Sequence, residues 1–238
     1  MWNPDWRKAD DYLFCGQLNA GQWAWEFLRR NPEYQQDWAW FHSTWEKLEA
    51  RYGKPPQRDF QAWQRDPEAT RKVDDAAGDC RVDEDSVLIE CWMGARWGFY
   101  KFPLDPAVDR PLIGEQLSWR PVDDAKHFLD ASETGYLGAD SARVALGFDL
   151  DMPLRAQLAA AKDVLMRRQA RLRKTGQLRM RTVAELRDRW RLMIRLLDAQ
   201  QQGEVVETVV ATLGDAFSGE DAEALLREAV ALRAGTYR

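Results

Sequence analysis

Seven cationic side chains within fifteen residues are the strongest chemical signal in this sequence of 238 residues. No acidic residue interrupts the cluster, which comprises Arg167, Arg168, Arg171, Arg173, Lys174, Arg179 and Arg181. On a helix, spacings of four and three place Arg167, Arg171 and Lys174 on one face. Such a face could neutralise phosphates of double-stranded DNA and release counterions, which gives salt-sensitive affinity. The alternative is a solvated face that pairs with acidic residues of the same or a neighbouring chain.

The net charge of -5 conceals an uneven distribution of charge along the chain. Residues 1–152 carry 18 Lys and Arg against 28 Asp and Glu, whereas residues 153–203 carry 13 against 4. Residues 204–238 are acidic again, with 3 against 7. This asymmetry predicts a polyanionic partner for one segment only, and the acidic total argues against a general coat on nucleic acid.

Signals of catalysis are weak. The sequence has two histidines, and His42 lies beside an aromatic stripe that favours a structural role over catalysis. No nucleophile elbow, phosphate-binding loop, zinc-protease motif or dinucleotide fingerprint occurs. Asp149 and Asp151 resemble a metal-binding pair, but they precede Pro153 and are interpreted as the cap of a helix. We therefore expect no enzyme activity, no metal and no cofactor.

The three cysteines are odd in number and far apart in the sequence. Cys15, Cys80 and Cys91 are therefore expected to be small buried thiols in a reducing compartment, not a disulfide framework or a zinc site. The mean hydropathy is -0.59, and no apolar stretch is long enough to span a membrane. With no secretory leader visible, we expect a cytoplasmic protein that has no membrane partner.

Helices that could position these residues are predicted at both ends of the chain. In the first 55 residues, one helix spans about 20–30, and a second begins at Asn31 and Pro32 and ends at Gly53. Its apolar stripe comprises Tyr34, Trp38, Phe41, Trp45, Leu48 and Tyr52. Eight of the twelve tryptophans lie within the first 63 residues, which indicates either a stacking platform for bases or sugars or, preferably, a packed aromatic module.

The middle of the chain is predicted to be a small antiparallel sheet that follows a polar linker over 54–85. Its strands are predicted at 86–93, 97–102 and 143–150, with a short addition near 117–119. Met93 to Arg96 would form the turn of a hairpin between the first two strands.

From Pro153 the pattern becomes helical again, with a first helix closed by Gly176 and a second opened by a capping box of Thr182 and Glu185. A short helix over 204–213 is favoured over a strand. A last helix over 219–234, opened by a capping box of Ser218 and Asp221, gives a profile similar to a helix-turn-helix. The predicted fold is therefore α+β. It has aromatic-rich helices in 1–55, linker and sheet in 56–152, and a helical DNA-binding domain in 153–238.

Several strings resemble a known family of regulators. PDWRKADDYLF (4–14) and WAWEFLRRNPEYQQDW (23–38) resemble the transcriptional regulator-like domain at the start of many proteobacterial regulators. VALGFDLDMPLRAQLAAAKDVL (144–165), LRDRWRLMIRLLDA (186–199) and LREAVALRAGTYR (226–238) resemble the DNA-binding domain of RovC-type activators. The resemblance implies a cytoplasmic homo-oligomer, up to a hexamer, that binds promoter DNA of type VI secretion or mobile-element genes.

One departure from the family pattern concerns the last helix, which is usually richer in arginine. Here Arg227, Arg233 and Arg238 match, but four acidic residues intrude. The first hypothesis is an activator in which the 167–181 cluster holds phosphates while Arg227 and Arg233 lie nearest to base edges. The second is an antiactivator that sequesters another regulator without binding DNA.

Overall fold

The computed structural model describes residues 4–73, 80–100, 102–108, 117, 119, 144, 146–178, 181–217 and 219–236. Helices dominate, and one small antiparallel sheet accompanies them, which confirms the predicted α+β class. The chain divides into a larger unit, Met1–Val122 with Leu186–Arg238, and a smaller unit, Asp123–Glu185. The boundaries at residues 55 and 152 remain predictions.

The larger unit begins with a 3-10 helix, Ala9–Gln17, followed by α1 (Ala20–Leu28), α2 (Pro32–Tyr52) and α3 (Phe60–Arg65). The side chain of Asn31 accepts hydrogen bonds from the first backbone amides of α2, and Pro32 occupies its first turn. Gly53 follows α2 with a φ of 84°, a conformation that favours glycine. The predicted helix from Asn31 to Gly53 is confirmed.

The sheet has three short strands, β1 (Thr70–Lys72), β2 (Arg81–Asp83) and β3 (Ser86–Leu88), in the order β1-β3-β2. Both pairs are antiparallel, and the register between β2 and β3 contains an irregularity. A 3-10 turn, Pro67–Ala69, leads into β1.

The predicted hairpin over 86–102 is wrong, because the chain leaves the sheet after Leu88 and continues as α4 (Ile89–Trp97). Ile89, Met93 and Trp97 lie four residues apart and are all buried. An apolar run of this kind satisfies a buried strand and a buried helix equally well, so its pattern alone could not distinguish them. Gly98 ends α4 in the left-handed region.

Little else of the predicted sheet occurs in the described residues. Phe99 pairs with Trp119 in a single antiparallel bridge, where a strand over 97–102 and a short one near 117–119 were predicted. Val144 and residues 146–149 belong to no strand. The rest of that third predicted strand, residues 143 and 145, lies outside the described residues, as does His127.

The cysteine prediction is wrong for two of the three residues. Cys80 and Cys91 form a disulfide, with their Cα atoms 6.1 Å apart. The chain reverses direction between the two cysteines. As a result, the amide of Leu88, at the end of β3, donates a hydrogen bond to the Cys80 carbonyl at 3.0 Å. Cys91 follows on the first turn of α4, so the eleven-residue separation closes into a short span. Cys15 is a buried thiol, as predicted.

Aromatic side chains fill the core of the larger unit. Tyr34 contacts Trp25 and Trp97 edge to face, with ring centroids 5.8 Å and 5.4 Å apart. The fully buried tryptophans are Trp6, Trp23, Trp25 and Trp63. Their burial favours the packed module over the stacking platform.

Three more helices complete the larger unit: α6 (Val183–Gln201), α7 (Val206–Leu213) and α8 (Ala222–Ala231). The predicted short helix at 204–213 is confirmed. A 3-10 turn, Gly214–Phe217, joins α7 to the start of α8, and a π-helical turn, Leu232–Thr236, follows α8 and contacts α1. Trp190 on α6 packs against Trp23 and Phe27, with centroids 5.4 Å and 6.4 Å away.

The start of α8 differs from the prediction. Asp221 is the cap, and its side chain accepts hydrogen bonds from the amides of Glu223 and Ala224. The helix therefore begins three residues later than a Ser218 cap would allow, and Ser218 itself lies outside the described residues.

The smaller unit contains α5 (Leu154–Lys174), which ends at Thr175 and Gly176 as predicted. The predicted cap by Asp149 or Asp151 is wrong, because Pro153 occupies the cap position and no side chain caps the helix. Instead, Gln157 folds back and bonds both the amide and the carbonyl of Asp149 at 2.8 Å. None of the helices described here combines the length and apolar character that a membrane crossing requires.

Candidate nucleic-acid interface

The cationic cluster occupies the last two turns of α5. Arg167, Arg171 and Lys174 share one face, as predicted, and all three are exposed. Arg173 is also exposed, on another side of the helix, and Arg168 is half-buried. Among the carboxylates in the described ranges, none forms an ion pair with Arg167, Arg171 or Lys174. This face therefore presents net positive charge to solvent.

The local sequence explains why the cluster lies on a helix and at this end of it. Four alanines and two leucines give the first half of α5 high helix propensity. Positive side chains in the last turn face the partial negative charge of the carbonyl end, which stabilises them there by about 0.3–1 kcal/mol each. The helix and its cations therefore stabilise one another.

The remaining cations of the predicted cluster follow α5. Arg181 is exposed and directly precedes Thr182. Thr182 and Glu185 form the predicted capping box of α6, with each side chain bonded to the other's backbone amide. Arg179 lies outside the described residues.

The three C-terminal arginines of the prediction are not equivalent. Arg227 is exposed on α8, whereas Arg233 is half-buried in the turn after it. Burial lowers the pKa of Arg233, and its carbonyl accepts a hydrogen bond from Asn31 Nδ2 at 2.9 Å. Arg238 lies outside the described residues. Arg227 is thus the more accessible of the two that can be compared.

Arginines on α6 have partners within the larger unit. Arg189 donates to the carboxylates of both Glu220 and Glu228, which bind it to the last helix and the turn before it. Arg191 pairs with Asp188 at 2.9 Å. Arg195 is buried and donates to the Trp6 carbonyl at 2.8 Å. The positive charge of these three guanidinium groups is therefore already engaged within the fold, unlike that of the exposed face of α5.

A buried ionic network in the larger unit was missed by the sequence reasoning. Arg30 donates to both oxygens of Asp198 at 2.6 Å and 2.9 Å and to Glu26 at 2.7 Å. The Tyr12 hydroxyl donates to Asp198 at 2.7 Å. The network joins the first 3-10 helix, α1 and α6. Glu26 and Arg30 are a recognisable pair four residues apart at the end of α1, but Asp198 is 168 residues from Arg30, and no local pattern connects them.

Electrostatics within the network follow from its burial. Burial, with the adjacent carboxylate of Asp198, raises the pKa of Tyr12 far above its usual value, so the phenol stays protonated. Burial works against the charge of Arg30, but Asp198 and Glu26 outweigh it and raise the pKa of the guanidinium. Arg30 therefore stays charged and Tyr12 stays protonated, which suits a structural role for the network.

Metal chemistry finds no support in this part of the molecule. No three His, Cys, Asp or Glu side chains of the described residues come together in an arrangement that could hold a metal ion. Asp149 accepts a hydrogen bond from the Asp151 amide at 2.9 Å, so it forms a turn before α5.

Comparison with known proteins gives one match. Residues 5–81 match the family model of a proteobacterial transcriptional regulator-like domain, which covers about a third of the chain. No curated protein and no solved structure matches the chain significantly. The matched range runs from the first 3-10 helix to the start of β2 and includes Tyr12, Glu26 and Arg30 of the buried network. Over residues 5–81, this chain is therefore similar to a proteobacterial transcriptional regulator-like domain, which supports a regulatory role.

Proposed function

We propose that this protein is a DNA-binding transcriptional regulator that holds the phosphate backbone with α5. The observation that carries the proposal is the exposed face of Arg167, Arg171 and Lys174, which no described carboxylate neutralises. The match of residues 5–81 supports the regulatory half of the proposal. Phosphate contacts of this kind supply affinity and position the protein on the duplex without reading its sequence.

The flanking cations extend this surface. Arg168, Arg173, Arg179 and Arg181 would hold further phosphates. Arg227 and Arg233 are the candidates for contacts with base edges, with Arg227 the more accessible.

The resemblance of 144–165, 186–199 and 226–238 to RovC-type activators supports a finer proposal. The protein would act in the cytoplasm as a homo-oligomer, up to a hexamer, and activate promoters of type VI secretion or mobile-element genes. It would use neither catalysis nor a cofactor. Assembly would multiply the weak phosphate contacts of each copy.

The salt dependence of DNA binding tests the role of α5. Fluorescence anisotropy of the full chain with a labelled duplex, measured over a series of salt concentrations, gives the slope of log affinity against log salt. Arg167→Gln combined with Arg171→Gln and Lys174→Gln should reduce the magnitude of that slope by about 3, since each lost phosphate contact removes about 0.9. An unchanged slope would refute the proposed phosphate contacts.

A matched control removes the same charge elsewhere. Lys47, Lys54 and Arg65 are exposed on the larger unit and outside every proposed contact. Their simultaneous substitution by Gln should leave the slope within experimental error of the wild type. An equal fall in both variants would show that net charge alone governs binding.

The antiactivator remains the second candidate because of the charge on α8. Glu223 is exposed on this helix, and the positive charge of Arg189 is balanced by Glu220 and Glu228, so no net positive charge remains there for phosphate. A recognition helix without net positive charge gains little electrostatic attraction to the DNA phosphates. If the wild-type protein binds no duplex at low salt, the DNA proposal fails and sequestration of another regulator becomes the better function.

A further inference from the structure

Most of the apolar side chains of helix α5 are exposed to solvent. Leu158 is 57% exposed and Met166 58%, and in the whole helix only Leu172 is buried. Helices in proteins gain most of their stability by packing an apolar face, and isolated ones are marginal in water. Packing of this face against a partner would therefore stabilise α5.

The apolar residues follow the spacing of a helix-pairing seam. Leu154, Leu158, Ala161 and Leu165 are separated by four, three and four residues, the a and d pattern of a coiled coil. At 3.6 residues per turn, this seam lies roughly opposite the face of Arg171 and Lys174. One helix can therefore pack on another while its cations stay exposed.

The chain that precedes α5 enlarges this apolar surface. Leu146 and Phe148 lie beside Leu158, Leu165 and Met166 and form a groove of about 420 Å³. Its lining is mainly apolar, so it suits a row of hydrophobic side chains better than phosphates or sugars.

We propose that α5 pairs with α5 of a second copy of this chain in antiparallel orientation. Charge sets the orientation. The last two turns hold five cations, whereas the first half of α5 holds little charge. A parallel pair would bring ten positive charges together, whereas an antiparallel pair sets each basic end beside the partner residues just before α5, which include Asp149 and Asp151.

The pair would present its two cationic clusters on outward faces that lie far apart along the helix axes. The seam is centred between residues 159 and 160, and the cluster is centred near residue 171. At a rise of 1.5 Å per residue, the two clusters lie about 33 Å apart. Because each cationic face points away from the seam, the two clusters would contact separate stretches of duplex on the two sides of the pair. This last step rests on the proposed function, whereas the pairing itself does not.

Sedimentation of the full chain tests the pairing. The wild type should sediment as an assembly, and Leu158→Gln with Leu165→Gln should dissociate the copies held by α5. Both positions are exposed in the single chain, so the substitutions should leave its circular dichroism unchanged. Ala156→Gln with Ala160→Gln places the same side chains on exposed positions outside the seam and should leave the assembly intact. A monomeric wild type, or equal behaviour of the two variants, overturns the proposal.

A spin label at Ala170→Cys tests the orientation. Ala170 is exposed and lies outside the seam, while Cys15 is buried and Cys80 is bonded to Cys91, so the new thiol is the reactive one. Antiparallel pairing predicts a distance of about 30 Å between the two labels, given the rise per residue. A distance below about 20 Å indicates parallel helices and refutes the proposal.

The two proposals fail separately. If the seam variant is dissociated and the spin-label distance is as expected but the wild type binds no duplex, the pairing stands and the DNA function fails. If the wild type binds the duplex as a monomer, the DNA function stands and the pairing fails.

Discussion

Arg30 and Asp198 show how a single buried contact governs this fold. Both side chains are almost inaccessible to water, and each oxygen of the carboxylate receives a hydrogen bond from the guanidinium. Removal of one partner of a buried ion pair leaves a charge without compensation, whereas exposed pairs contribute little. The importance of these two residues therefore comes from their burial.

Asp198→Asn should lower the free energy of unfolding by about 3–5 kcal/mol, because Arg30 would keep its charge without its bidentate partner. Asp188→Asn is the control, since Asp188 pairs with Arg191 at the surface, and it should cost less than about 1 kcal/mol. Urea denaturation followed by tryptophan fluorescence measures both. Equal losses in the two variants would contradict the structural role of the network.

Cys15 should resist alkylation in the folded protein. Burial, assisted by the nearby charge of Glu26, raises the pKa of the thiol to about 12, so almost no thiolate exists at pH 8. The raised pKa also means that this group stabilises the fold below about pH 9, and that this stability is lost as the pH rises toward 12. Mass spectrometry after iodoacetamide treatment should show labelling at Cys15 only in denaturant. Rapid labelling of the folded protein would refute its burial.

The side chain of Asn31 connects two elements of the fold, the start of α2 and the turn after α8. Its oxygen caps α2, and its amide nitrogen donates to the Arg233 carbonyl in the turn after α8. The cap was readable from the sequence, but the second contact spans 202 residues and was not.

Asn31→Ala should destabilise the protein by about 1–2 kcal/mol, because the cap of α2 is lost. Asn31→Asp keeps the capping oxygen but removes the donor to Arg233, so it should cost less overall. Hydrogen exchange should then show faster opening of residues 232–236 in both variants. Normal protection of that turn in Asn31→Asp would show that the hydrogen bond from the Asn31 amide to Arg233 does not stabilise the turn.

Prediction from sequence succeeded where local signals decide an element. Caps and terminating glycines defined α2 and the end of α5, and the spacing of Arg167, Arg171 and Lys174 placed them correctly on one face. It failed where tertiary contacts decide. The run from Ser86 to Trp97 forms a strand and then a helix. Cys80 and Cys91 form a disulfide because the fold of the sheet brings them together. Arg189 is likewise neutralised by carboxylates more than thirty residues away.

At the scale of the whole molecule, the regulator-like domain does not stand alone. Residues 5–81 share one compact unit with 186–238, in which Trp190 of α6 packs on Trp23 of α1 and Asp198 of α6 bonds Arg30 just after α1. The family match therefore ends in sequence well before the residues that complete its packing.

A fragment of residues 1–122 should fail to unfold cooperatively, because it exposes Trp23, Phe27 and the charge of Arg30. A chain in which 123–185 is replaced by a long Gly-Ser linker should retain a cooperative transition, since it keeps the larger unit. Circular dichroism during heating compares the two. Cooperative melting of the fragment 1–122 would show that α6–α8 are dispensable for this packing.

The long reach of Arg30 has a consequence for biosynthesis. Asp198 is translated 168 residues later, which at about 5–20 residues per second takes roughly 8–34 seconds. Throughout that interval, Arg30 lacks Asp198 and Trp23 lacks Trp190, so these side chains of the nascent segment have no packing partner from α6. We therefore expect the ribosome-bound chain to remain a substrate for chaperones until α6 has been synthesised.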